Sequence, residues 1–217
     1  MFQELMMTKL VDLPLEEFVA LLASDAPAPG GGSAAALAGA QAAALMAMVC
    51  RLTIGKKKYA AVEAEATQAL AELEQRRAEL LALIDADAEV YNGFGRALAM
   101  PKETDEQAAA RRQAMQAAAR QAADVPRRTV EAAAGVARIV VRLYAKTNKN
   151  CLSDAGTALH LAWAAVQGAS FNVLINLPGT GDEAFHLTHV ARLRDRNDEI
   201  KPLFERAAAE IADLLGA

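Results

Sequence analysis

From Ala34 to Cys50 the chain carries a single polar residue, Gln41, in an otherwise apolar run. The run is led by Pro27, Pro29, the triplet Gly30, Gly31 and Gly32, and then Ser33; it closes on Gly55 and three lysines, Lys56, Lys57 and Lys58. The prolines stiffen the entry, the glycines leave backbone N–H groups open to close approach, and Ser33 has the chemistry of a helix N-cap. The length approaches that of a membrane span, but alanine dominates and Leu, Ile and Phe are sparse, so the pattern predicts a buried core helix from Ser33 to Thr53. Ala35, Gly39, Ala43 and Ala47 recur every fourth position, giving a flat face against which another helix backbone can pack closely.

The rest of the chain repeats the helical period. Pro14 to Ser24 predicts a short amphipathic helix with Leu15, Phe18, Val19 and Leu22 on one face and Glu16 and Glu17 at its positive end. Ala60 to Ala99 has apolar positions at three- and four-residue spacing, including Leu73, Leu80, Leu83 and Ile84, and predicts a long helix ended by Met100 and Pro101. Thr104 followed by Asp105, Glu106 and Gln107 reads as a capping box opening a helix to Ala145, in which Pro126 predicts a kink or break near Asp124 and Val125. Thr147 to Leu152 reads as a loop, Ser153 as the cap of a helix ending by Leu177, and Asp182 to Leu215 as a last helix solvated at its charged middle. No strand signal appears. The expectation is an all-α fold, a bundle of long antiparallel helices forming one domain over 1–217.

Composition narrows this further. Of the 217 residues 53% are hydrophobic but only 5% aromatic, so the core is built mainly of Ala, Leu, Val and Met. Such helices bury little area each, which favours self-association and predicts a homodimer. The formal net charge of −4 argues against a general nucleic-acid binder, since neutralising phosphates needs a broad basic surface. Two cysteines, Cys50 and Cys151, offer neither a disulfide framework nor metal spacing, so no metal is expected. The start MFQELMMTKL has no secretory pattern. A cytoplasmic protein, with no membrane partner, is expected.

Candidate chemistry lies in three places. Asp85 and Asp87 stand two residues apart in a largely apolar helix, Asn148, Asn150, Ser153 and Asp154 form a polar loop, and Asn172 and Asn176 are one turn apart. Each has an ordinary structural reading as well, as surface acids, a helix cap and buried amides. The glycine triplet lacks the P-loop spacing and the preceding strand of a dinucleotide site. Neither nucleotide reading stands.

The blocks PAPGGGSAAALAGA, LTIGKKKY, LIDADAEVYN, MPKETDEQAAAR, the Pro126 site, NKNCLSDAG and NVLINL together resemble the cyclodeaminase/cyclohydrolase family of folate enzymes, in order and approximate spacing over nearly the entire chain. Tyr91 stands where that family usually has phenylalanine, and Arg127 where an apolar residue usually follows the proline. The resemblance implies an all-helical homodimer acting on tetrahydrofolate that carries a one-carbon unit, the folate being substrate and no cofactor being needed. It places the catalytic aspartate on Asp87. The expected substrate-binding set is Gly30, Gly31, Gly32, Ser33, Lys56, Lys57, Asn150, Asp154 and Asn176, with the glycine N–H groups or the lysines holding the carboxylates of the folate tail.

Two reactions fit this resemblance. A cyclohydrolase adds water to the amidinium carbon of 5,10-methenyltetrahydrofolate and gives 10-formyltetrahydrofolate; a cyclodeaminase lets N10 attack a formimino carbon and expels ammonia. Both pass through a tetrahedral carbon between two nitrogens, where one carboxylate near an apolar wall can move the protons and favour the cation. A formiminotransferase domain, which would supply the formimino substrate, is not part of the sequence, and this favours the cyclohydrolase. A folate-binding helical protein without turnover would keep the same glycines and lysines.

Overall fold

The computed structural model describes residues 9–216, and the start of the chain considered above for a secretory pattern lies largely outside them. Six α-helices are found: α1 (Leu15–Leu22), α2 (Gly31–Arg51), α3 (Glu63–Leu98), α4 (Asp105–Leu143), α5 (Leu152–Asn176) and α6 (Glu183–Leu215). Short 3-10 turns occupy Leu10–Asp12, Lys57–Val62, Lys149–Cys151 and Leu177–Thr180. No strand is present among the described residues.

Helix α2 is the axis of the bundle. Ala35, Gly39, Ala43 and Ala47 are all buried, as their spacing predicts. A Cβ on Gly39 would lie 2.9 Å from Leu80 Cδ2 and 3.4 Å from the Ala165 Cβ, so glycine there lets α3 and α5 close on α2 from two sides. Close contacts pair Gly32 with Asp87 and Gly39 with Leu80, and likewise Gly31 with Asn172 and Gly39 with Ala165. Both neighbours therefore run antiparallel to α2.

The antiparallel rule fails for α4 and α6. Ion pairs link Arg120 to Asp182, Glu131 to Arg196 and Arg138 to Glu199, so α4 and α6 run in the same direction. Both flank the intervening α5, which returns the chain between them. These ion pairs anchor the charged middle of α6 through Arg196 and Glu199, where Leu193 and Ile200 are buried, while Arg192, Arg194, Asp195, Asp198 and Lys201 are exposed as the composition predicts.

Several helix ends differ from the sequence reading. The N-cap of α2 is Gly30, and Ser33 lies inside the first turn, fully buried. Helix α5 begins at Leu152 after a turn capped by Asn148, leaving Ser153 exposed and without a capping bond. In α1 only Phe18 is buried, while Leu15 and Val19 stand in solvent. The box at Thr104 and Gln107 forms as predicted, each side chain bonding the other's backbone N–H.

Pro126 does not break α4, which runs through it for 39 residues. Proline removes the N–H that would bond the carbonyl four residues earlier, here that of Ala122. The side chain of Asn176 supplies the missing donor, its Nδ2 lying 3.1 Å from the Ala122 oxygen. A buried carbonyl left unpaired costs about 1–3 kcal/mol. Asn176→Ala should therefore destabilise the protein by roughly that amount in urea unfolding. In a Pro126→Ala background residue 126 regains an N–H, and the penalty should shrink. An equal penalty in both backgrounds would show that Asn176 does not compensate the proline.

Candidate active site

The first turn of an α-helix leaves N–H groups without intrahelical acceptors and concentrates positive potential there. At the start of α2 the acceptor comes from another helix. Asp87 of α3 places Oδ2 2.8 Å from the Ser33 backbone nitrogen and 3.0 Å from Ser33 Oγ. Gly32 makes room for it: a Cβ there would lie 2.0 Å from Asp87 Oδ1. Gly31 faces the Asn172 amide of α5 in the same way, at 3.1 Å, whereas nothing lies within 4 Å of a Cβ on Gly30. Two of the three glycines are thus occupied by protein side chains.

Asp87 is half-buried, and burial raises its carboxyl above the ordinary aspartate range, while the Ser33 hydroxyl and N–H pull the other way. Desolvation wins. The Ser33 hydroxyl also lies 3.0 Å from the Ile84 carbonyl, and its one hydrogen can serve either acceptor. With Asp87 ionised it bonds the carboxylate; with Asp87 protonated it can turn to Ile84. Among the described residues Asp87 Oδ1 has no hydrogen-bond donor, and the N–H groups of Gly31 and Gly32 have no acceptor.

Asp85 serves elsewhere. Its Oδ1 accepts from the Leu10 backbone nitrogen at 2.5 Å, pinning the N-terminal turn onto α3. Asn176 lies at the Asp87 end, but both hydrogens of its amide are engaged, with Ala122 O and Asn172 O at 3.1 and 2.8 Å. Asn172, absent from the expected binding set, bonds the Gly168 carbonyl at 2.8 Å and packs on Gly31. Its one-turn spacing from Asn176 was the available signal.

The remaining expected residues gather at the other end of the bundle. Lys56 and Lys57 are exposed beyond the C-terminus of α2. There the Asn148 side chain accepts from the Asn150 N–H at 3.1 Å, the Asn148 N–H donates to Thr53 Oγ1 at 3.0 Å, and the Tyr59 hydroxyl accepts from the Lys149 N–H at 3.1 Å. Burial and then the Asp154 charge raise the Cys151 thiol, and Lys56 opposes them, which places both charged groups at this end. A helix of 21 residues is about 31 Å long at roughly 1.5 Å per residue. Within one chain, Lys56, Lys57, Asn150 and Asp154 do not meet Asp87.

The family model for formiminotransferase-cyclodeaminase matches residues 14–195. The chain belongs to this family. One family member, the methenyltetrahydrofolate cyclohydrolase of Methylorubrum extorquens, is 42% identical over 192 residues, covering 88% of this chain and 92% of that protein. The formimidoyltransferase-cyclodeaminase of Sus scrofa is 34% identical over 208 residues; the match covers 96% of this chain and 38% of that longer protein. Among solved structures, formiminotetrahydrofolate cyclodeaminase from Thermotoga maritima superposes with a TM-score of 0.84 at 30% identity, covering 94% of this chain and 98% of that one.

The raised carboxyl of this family member has a consequence for stability. A native state that binds a proton more tightly than the unfolded chain loses stability as pH rises from the unfolded value through the native one. Asp87→Asn keeps an acceptor for the Ser33 N–H but never ionises. Its melting temperature should exceed the wild type's at about pH 8, and the gap should close as the pH falls below the ordinary carboxylate range. A gap that is constant with pH, or that widens in acid, would contradict the assignment of Asp87 as the desolvated carboxyl.

Proposed function

We propose that the chain is a methenyltetrahydrofolate cyclohydrolase acting as a homodimer, with Asp87 as its acid/base. The observation that carries this is the desolvated Asp87 carboxyl held at the start of α2 by Ser33 through Oδ2, with Oδ1 seated against Gly32 and without a donor among the described residues. Desolvation brings its proton affinity closer to the working pH, as general acid–base catalysis requires. The M. extorquens cyclohydrolase, matched over 92% of its length, favours hydrolysis over the alternative.

The steps balance with water alone. Asp87 takes a proton from water as the oxygen bonds the amidinium carbon, giving a neutral tetrahedral adduct. It then gives that proton to N5 as the bond from carbon to N5 breaks. The adduct hydroxyl loses its hydrogen as the formyl C=O forms on N10, and Asp87 passes this last proton to solvent. Ser33 follows the charge: its hydroxyl bonds the carboxylate before each proton arrives and the Ile84 carbonyl after. The carboxylate also sits where it can favour the cationic substrate. In this reading the N–H groups of Gly31 and Gly32, which have no acceptor among the described residues, would orient the polar edge of the ring.

A second reading is favoured by the T. maritima cyclodeaminase, matched over 98% of its chain. There the same carboxyl would move a proton to the departing ammonia. Release of ammonia from formiminotetrahydrofolate, with no consumption of the methenyl compound, would select it.

Loss of methenyl absorbance after mixing measures the hydrolysis directly. Asp87→Asn should lower kcat by about 100- to 10,000-fold, the usual contribution of a positioned acid/base. Asp85→Asn should leave turnover nearly intact, since Asp85 points to the Leu10 N–H and lies roughly 200° around the helix from Asp87. Near-normal turnover by a folded Asp87→Asn protein would overturn the assignment.

A further inference from the structure

The face of α3 that is buried against α2 does not stop where α2 starts. Leu73, Leu80, Ile84 and Asp87 follow one another at helical spacing on that face, and Tyr91, Phe94 and Leu98 continue the series beyond Asp87 by alternate steps of four and three residues. Leu73, Leu80 and Ile84 are buried. Helix α2 begins at Gly31, level with Asp87, and past that point the stripe emerges: Tyr91 is 51% and Leu98 49% exposed, with Phe94 half-buried between them. Charge is kept off it. Glu89 and Arg96 lie on another side of the helix, where Glu89 accepts from Asn92 at 3.3 Å and from Arg96 at 2.9 Å.

Tyr91 lies four residues beyond Asp87, about 6 Å along the helix at roughly 1.5 Å per residue, and on nearly the same side of it. The next residue on that side is Gly95, where a Cβ would meet nothing within 4 Å. A planar group laid beside the phenol ring therefore meets no side chain from the following turn. On the α2 side of the carboxyl, Gly32 and Ser33 already fill the space. The exposed apolar surface on the carboxyl's own face is that of Tyr91.

The methenyl substrate carries its positive charge on the reacting atoms, delocalised over N5, the one-carbon bridge and N10. With that carbon at Asp87, the fused ring attached through N5 has to extend away from the carboxyl, and Tyr91 is within its span. An aromatic face attracts a cation lying within about 6 Å of the ring centroid through its quadrupole, an attraction that a neutral group of the same shape lacks.

We propose that Tyr91 is a substrate-binding residue whose ring face receives the amidinium and its fused ring, and that it distinguishes the cationic substrate from the neutral formyl product. This rests on the folate reading and deepens it by naming a group that selects the charged form. It adds to Asp87 a second preference for the cation, from a side chain that moves no proton. It also loosens the site's hold once the charge is gone, which favours release of the product.

Two substitutions separate the ring from its apolar area, and because Tyr91 is half exposed neither opens a cavity in the core. Tyr91→Leu should lower kcat/KM for 5,10-methenyltetrahydrofolate about tenfold, mostly through KM, while the inhibition constant of 10-formyltetrahydrofolate shifts by less than about threefold. Tyr91→Phe, which keeps the ring face, should recover most of that loss. Equal shifts for the cation and the neutral product would overturn the discrimination. A Tyr91→Leu protein with undiminished kcat/KM, or a Tyr91→Phe protein as impaired as Tyr91→Leu, would overturn the part given to the ring. In each of these cases the wild type still consumes the methenyl compound and the folate reading stands; a wild type that consumes none would overturn both.

Discussion

The geometry of the site depends on a carboxylate taking the place of a missing side chain. Asp87 reaches the start of α2 because residue 32 has no Cβ, and it is held there by both donors of Ser33. The helix terminus gains an acceptor it lacks internally, and the carboxyl exchanges water for the two hydrogen bonds from Ser33. The exchange is incomplete, so the proton is held more tightly than in water. That imbalance opposes stability at neutral pH, and it is the property on which the proposed role of Asp87 as a base draws.

The small residues of α2 serve this arrangement. Gly39 lets Leu80 and Ala165 close in, which sets the separation of α3 and α5 from the central helix. The same antiparallel packing then delivers Asp87 and Asn172 to Gly32 and Gly31. Farther out, Asn176 keeps α4 continuous across Pro126 while lying one turn beyond Asn172. Core packing and site geometry are therefore coupled through α5, and a substitution at Asn176 acts on both.

Much of the helical layout was legible in the sequence because it depends on local period and capping. Thr104 and Gln107 show their box without reference to distant residues, and the four-residue repeat of Ala35, Gly39, Ala43 and Ala47 declares a buried face. Ser33 was misplaced because three consecutive glycines carry no local signal of where the helix begins. The break expected at Pro126 is prevented by Asn176, a partner 50 residues away in sequence, and no local pattern reports such a contact. The lysines and glycines flank one helix in sequence, but α2 itself holds them a full helix length apart. Asp87 was reached through resemblance; the residues alone left it equal to Asp85, and only the contacts with Ser33 and Leu10 divide their roles.

The most direct measurement is a carbon-13 NMR titration of the Asp87 carboxyl in the wild type and in Gly32→Ala. The wild-type midpoint should lie above the ordinary aspartate range. The added methyl group should expel the carboxyl from its seat into water and return the midpoint toward that range, with helicity preserved because alanine is the better helix former. An ordinary midpoint in the wild type, or a raised one unmoved by Gly32→Ala, would contradict the account.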